Sequence, residues 1–149
     1  MSGTTAPPTV PRWVNVLVRG LLRSPAHRLM SRSTMVLTVT GRRTGKEYTF
    51  PVSYYRTGGA ITCYTDGGWW RNLVGGAPVS LLIAGRRLAG HAEVVALDHD
   101  DAVLGLHEFL RHLPRDARYH GVRRVDGGFD AGDLDRAART SRLVRITPR

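Results

Sequence analysis

Met35-Val36-Leu37-Thr38-Val39-Thr40, then Gly41-Arg42-Arg43-Thr44-Gly45-Lys46, then Glu47-Tyr48-Thr49-Phe50-Pro51-Val52-Ser53-Tyr54-Tyr55, reads as a strand, a basic turn and a second strand. β-Branched and aromatic residues fill both flanks, a composition that suits a pleated, half-buried backbone better than a helix. The two glycines allow the positive φ of a tight connection, and successive N–H groups in such a turn can converge on an anion. Arg42, Arg43 and Lys46 add charge and Thr44 a hydroxyl. Lys46 is the only lysine among 22 basic residues, every other one being arginine. A glycine-containing basic turn is also what any solvated strand connection looks like, so the loop alone does not separate an anion site from an ordinary turn.

Working outward, Pro51 assigns the second strand to a sheet edge or a bulge. Arg56-Thr57-Gly58-Gly59 is a turn, residues 60–65 form a third strand, and Asp66-Gly67-Gly68 ends it before a short helical turn over 69–73. Residues 79–83 and 88–97 make a hairpin around Gly85-Arg86, its second strand long enough to bend around a barrel. After this fifth strand the period changes. Val103, Leu106, Leu110 and Leu113 share one face of a helix over 98–113 that Asp98 caps. Residues 114–132 read as irregular, and 141–147 alternates as a closing strand. Upstream, residues 1–11 read as a flexible arm. From Arg12, Trp13, Val14, Leu17, Val18, Leu21 and Leu22 recur at helical spacing. Such a basic amphipathic helix lies either across its own domain or on an anionic membrane surface. The pattern predicts an α+β fold, a small antiparallel barrel with helices at the start and near the end, in a single domain over 12–149.

With 149 residues, 42% of them hydrophobic, the chain can build one sizeable core. The net charge of +10 suits a nucleic acid, an anionic membrane or a phosphorylated or carboxylated small molecule. No run has the length of a membrane span, and residues 1–11 lack the pattern of a secretory signal, so the expected compartment is the cytoplasm. The single cysteine, Cys63, excludes an internal disulfide and reads as a small buried hydrophobe.

Several familiar chemistries fail on spacing. His107 and His112 are five apart, so they diverge by roughly 140° around a helix and cannot share a metal from one face. His91 and Glu93 share a strand face but lack a third ligand. Gly-x-Ser-x-Gly is missing, and the basic loop has neither the order nor the following helix of a P-loop. No metal site is assigned. Aromatic residues are sparse beside the arginines, so no nucleic acid is expected as a partner.

Three blocks together resemble the deazaflavin-dependent nitroreductase and quinone reductase family, whose members use the deazaflavin coenzyme F-420 on a split β-barrel. These are Thr40-Gly41-Arg42-Arg43-Thr44-Gly45 followed by Pro51, then Thr65-Asp66-Gly67-Gly68 with Trp69-x-x-Asn72-Leu73, then Gly85-Arg86-Arg87 before a long strand. The resemblance implies a split antiparallel β-barrel that transfers hydride from reduced F-420 to a quinone, nitroaromatic or similar conjugated acceptor. It implies that Arg42, Arg43, Thr44 and Gly45 hold the phosphate and acidic tail, with Lys46 replacing a basic residue absent at Tyr48. Pro51 would lie near the ring. Thr65, Gly67 and Gly68 would line the other flank, Trp69 and Asn72 would fix that wall, and Tyr119 would be the proton donor or face the substrate. Asp66 departs from the family pattern and places a carboxylate where a basic residue is usual. Related split barrels bind FMN or haem, so FMN is the alternative cofactor, and a non-catalytic carrier of flavin, haem or lipid is the alternative function. A small-molecule electron acceptor is the implied partner, with monomer and homodimer both open.

Overall fold

A computed structural model describes residues 33–149. The arm over 1–11 and the amphipathic helix expected from Arg12 lie outside the described residues. The quoted stretch folds around its turn: β1 (Thr34–Thr40) and β2 (Glu47–Ser53) pair antiparallel, Thr34 opposite Ser53 at one end and Thr40 opposite Glu47 at the other. Beyond Ser53 the expected single strand over 47–55 breaks. Tyr54 is buried, its N–H donates to the Ser33 carbonyl at 2.9 Å, and the chain resumes as β3 (Tyr55–Thr57), paired with β4 (Ala60–Thr65).

After β4 come a 3-10 turn (Gly68–Leu73) and the hairpin of β5 (Ala77–Ile83) and β6 (Arg86–Val95). Its two connecting residues, Ala84 and Gly85, have φ of 53° and 77°, the left-handed pair that matches the twist of a two-residue hairpin. The final strand, β9 (Arg142–Pro148), inserts between β6 and β4. The sheet order is β2-β1-β5-β6-β9-β4-β3, so two strands consecutive in sequence form its opposite edges. The sheet must therefore curl until those edges meet at Tyr54, giving an antiparallel half-barrel. Pro51 lies on edge strand β2, where a residue without an N–H is tolerated.

Two apolar clusters divide the faces. Met35, Leu37, Val39, Ile61, Cys63, Leu81, Val144 and Ile146 fill the concave side. Tyr64 and Leu143, one residue out of phase with Cys63 and Val144, point the other way and pack with Leu106, Phe109, Leu110, Leu134 and Ala137. Each large aliphatic side chain buried this way contributes about 1.5–3 kcal/mol. β4 is buried along nearly its whole length because both its faces are covered.

The helix expected over 98–113 is α1 (His99–His112), and Asp98 caps it by accepting from Asp101 N at 2.8 Å. The irregular reading of 114–132 is corrected. A 3-10 turn (Pro114–His120) and a small hairpin of β7 (Arg124–Val125) and β8 (Gly128–Phe129) occupy it. A second helix, α2 (Ala131–Thr140), follows with Asp130 as its cap. α2 turns Leu134, Ala137 and Ala138 to the core at i, i+3 and i+4, an amphipathic spacing carried by one bulky residue and two alanines. Tertiary anchoring supplies the rest. Asp133 is buried and accepts from Arg123 N at 3.0 Å, Arg123 Nε at 2.9 Å and Arg136 Nη2 at 2.8 Å. These donors hold its carboxyl well below the usual carboxylate range.

Candidate functional site

The basic turn is closed by its own backbone: Gly41 N donates to Lys46 O at 2.7 Å, and Gly45 N to Gly41 O at 2.9 Å. Gly45 has φ of 71°, with nothing within 4 Å of the place a Cβ would take, so its glycine serves conformation and not space. Gly41 is the opposite case. A Cβ there would stand 2.9 Å from the ring of Tyr48, which is buried beneath the turn. Tyr48 thus supports the loop from below. Thr44 Oγ1 accepts from Lys46 N at 3.2 Å, leaving its hydroxyl proton for another acceptor.

The turn is tied to the 3-10 segment 30 residues away. Arg42 N donates to Asn72 Oδ1 at 3.0 Å, Asn72 Nδ2 donates to Trp69 O at 3.2 Å, and the Arg42 guanidinium donates to Val74 O. Asn72 therefore spends its amide on holding the two blocks together. Arg43 and Lys46 remain exposed, and among the described residues no carboxylate pairs with Arg42, Arg43 or Lys46. Exposed cations without acidic partners, on a loop of fixed backbone, fit a phosphate or carboxylate.

A cleft of about 430 Å³ lies toward the Thr34–Ser53 end of the β1–β2 hairpin, lined in part by Pro51, Thr65, Asp66, Trp69, Tyr119 and His120. Four of the expected residues meet there: Pro51, Thr65, Trp69 and Tyr119. The loop residues 42–46 are not part of its lining. Thr65 is buried, and its Oγ1 accepts from Gly67 N at 3.0 Å, fixing the turn into the 3-10 segment. A Cβ on Gly67 would press on the Trp69 ring at 3.1 Å, so any side chain there must displace that ring by a few tenths of an ångström. At Gly68 it would meet only the mobile end of Arg71. Trp69 also packs on Phe50 with ring centroids 5.0 Å apart. Tyr119 is 70% exposed at the mouth.

Asp66 lies with the cleft and not among the loop residues, which separates its carboxylate from the turn that gathers the positive charge. Ser53, Asp116 and His120, also of the cleft, carry no signal in sequence. Asp116 is buried and accepts from Ser53 Oγ at 3.1 Å. His120 Nδ1 meets Ser141 Oγ at 3.2 Å. Burial lowers the His120 pKa from its ordinary value, and the charges of Asp116 and Asp66 push partly back. These contacts join residues 21 to 63 positions apart, which no local spacing reveals. Tyr64 is buried with its hydroxyl facing α1 at Gly105, without a hydrogen-bond partner among the described residues. Burial raises its pKa to about 12.

The curled antiparallel half-barrel is the split-barrel fold. The fold is that of an FAD-binding protein from Mesorhizobium loti, 14% identical, with a TM-score of 0.51 over 90% of this chain and 88% of that one. It is also that of a protein of unknown function from Agrobacterium tumefaciens, 15% identical, with a TM-score of 0.55 over 97% of this chain and 59% of that one. An F-420 reductase, 15% identical, superposes with a TM-score of 0.46 over 88% of this chain and 92% of that one. No curated protein matches the sequence. The F420H2-dependent quinone reductase family model matches residues 12–123, and the chain belongs to that family. It is a reductase whose cofactor is coenzyme F-420.

Proposed function

We propose that the chain reduces a quinone, with the coenzyme's phosphate and acidic tail on the 41–46 turn and its ring in the cleft of Pro51, Thr65, Trp69 and Tyr119. The observation that carries this reading is the bond from Arg42 N to Asn72 Oδ1 at 3.0 Å, because Asn72 in turn bonds the backbone of Trp69, a residue of the cleft lining, and so ties the cationic turn to that wall. When bound, reduced F-420 supplies a hydride, and the protein's part is to bind, orient and manage protons. Arg43 and Lys46 neutralise the tail, Thr44 donates a hydroxyl, and the turn's N–H groups complete the cradle. Trp69 and Tyr119 offer the flat apolar surface that a conjugated ring requires. Nitroaromatics are flat and electron-poor in the same way and belong to the same acceptor class.

Mixing the protein with reduced F-420 and menadione, and following coenzyme oxidation, tests the reading. Turnover is expected, and tight binding without turnover on any quinone or nitroaromatic overturns it. Arg43→Ala and Lys46→Ala are expected to weaken coenzyme binding while leaving thermal unfolding unchanged, since both side chains are exposed. Unchanged affinity in both variants returns the turn to an ordinary solvated connection.

A further inference from the structure

Turning a quinone into a hydroquinone requires a proton as well as a hydride, and the cleft contains five titratable side chains: Tyr64, Asp66, Asp116, Tyr119 and His120. Asp66 and Asp116 are carboxyl groups, which accept and do not donate in their ionised form. Tyr64 has its hydroxyl enclosed against Gly105 and its proton held more tightly by burial. Tyr119 is a phenol, a group that surrenders its proton far less readily than an imidazolium. His120 is the remaining group, and imidazole is the side chain whose charge ordinarily changes between about pH 5 and 8.

Its setting holds the ring still. Ser141 Oγ engages Nδ1 from the junction of α2 and β9, and Phe109 of α1 meets the ring nearly edge-on at 6.1 Å. No described residue hydrogen-bonds Nε2. The charged groups near the ring are Asp116 on its own 3-10 turn, held by Ser53 of β2, and Asp66 after β4. α1 contributes the uncharged Phe109, and Tyr64 and Tyr119 share the cleft. The two carboxylates favour the imidazolium that burial opposes.

We propose that His120 donates from Nε2 the proton that completes reduction of a quinone bound in the cleft. The inference rests on the quinone-reductase reading above. In the step, the Nε2–H bond breaks and an O–H bond forms on the quinone oxygen. The hydride and its electron pair come from the reduced coenzyme, which is left oxidised, and water in the open cleft reprotonates the imidazole. The reacting form is the cation. The acceptor-side kcat/KM is therefore highest at low pH and falls as pH rises through a pKa below the ordinary histidine value of about 6.5.

The test measures menadione reduction from about pH 5 to 8 in the wild-type chain, His120→Gln and His120→Phe, with F-420 affinity measured for each. At saturating coenzyme both variants are expected to lose the pH limb and to lose about a hundredfold or more in kcat at the acid end. Gln keeps the polarity of the site, so a failure of the Phe variant to fold leaves the measurement intact. Independently of turnover, the His120 ring resonances, identified by their loss in His120→Gln, are expected to titrate and to shift when menadione is added to the unreacted protein. A wild-type pH limb and kcat in both variants, or ring resonances indifferent to menadione, overturns the assignment while the reductase reading stands. Absence of turnover in the wild-type chain overturns the reductase reading, and the assignment with it.

Discussion

Asn72→Ala removes both bonds by which one amide joins the basic turn to the cleft wall, the 3.0 Å bond from Arg42 N and the 3.2 Å bond to Trp69 O. Each hydrogen bond of this kind is worth about 1 kcal/mol net; the Trp69 bond is half-buried and the Arg42 bond exposed, where water competes, so the pair is worth at most about 2 kcal/mol. The Arg42 guanidinium still reaches Val74, so the turn loosens without being released. If the whole 2 kcal/mol is felt as lost preorganisation of the cradle, coenzyme affinity falls about thirtyfold. Asn72→Asp separates the contributions, since its carboxylate still accepts from Arg42 N but cannot donate to Trp69 O. Fluorescence titration with F-420 measures affinity, and urea unfolding measures stability. The expected result is affinity in the order wild type, Asp, Ala. A stability loss of about 2 kcal/mol with no change in affinity for either variant would refute the view that the two blocks act as one binding unit.

Three further outcomes are expected. Gly105→Ala should destabilise by about 1–3 kcal/mol, because its Cβ would fall 2.1 Å from Tyr64 Oη, and Tyr64→Phe in the same chain should restore part of the loss in urea unfolding. Asp133 has its pKa depressed on folding, so its contribution is present above the unfolded carboxylate value of about 3.9 and is lost as pH falls through the folded value. Asp133→Asn should flatten the acid limb of a stability profile, and an unaltered limb counts against the assignment. Cys63 is fully buried with its thiol pushed up to about 12, so a thiol reagent at about pH 8 should modify it only as fast as the chain unfolds.

Much of the half-barrel was legible because β1, β4 and the β5–β6 hairpin carry their own patterns of apolar residues and turn glycines. Tyr54 was not legible as a break, since its aromatic neighbours favour extended backbone and only the contact with Ser33 and the curl of the sheet divide the strand. Helix α2 escaped because alanines and an arginine-clamped aspartate replace the bulky stripe that reveals α1. At the site, the turn and the Trp69-x-x-Asn72 segment were recognisable as separate blocks, while the amide that joins them belongs to tertiary structure. His120 stood unnoticed beside Tyr119. Its meaning comes from Ser141, Asp116 and Asp66, which approach from other parts of the chain.

The placement of β9 between β6 and β4 bears on how the protein is made. Until residues 142–148 have been synthesised, β6 and β4 each wait with an unsatisfied flank, and any other extended chain can add to it. The nascent protein thus passes through an interval in which its sheet exists as two open pieces, β2-β1-β5-β6 and β4-β3. Its yield in a cell should depend on how well chaperones shield that gap.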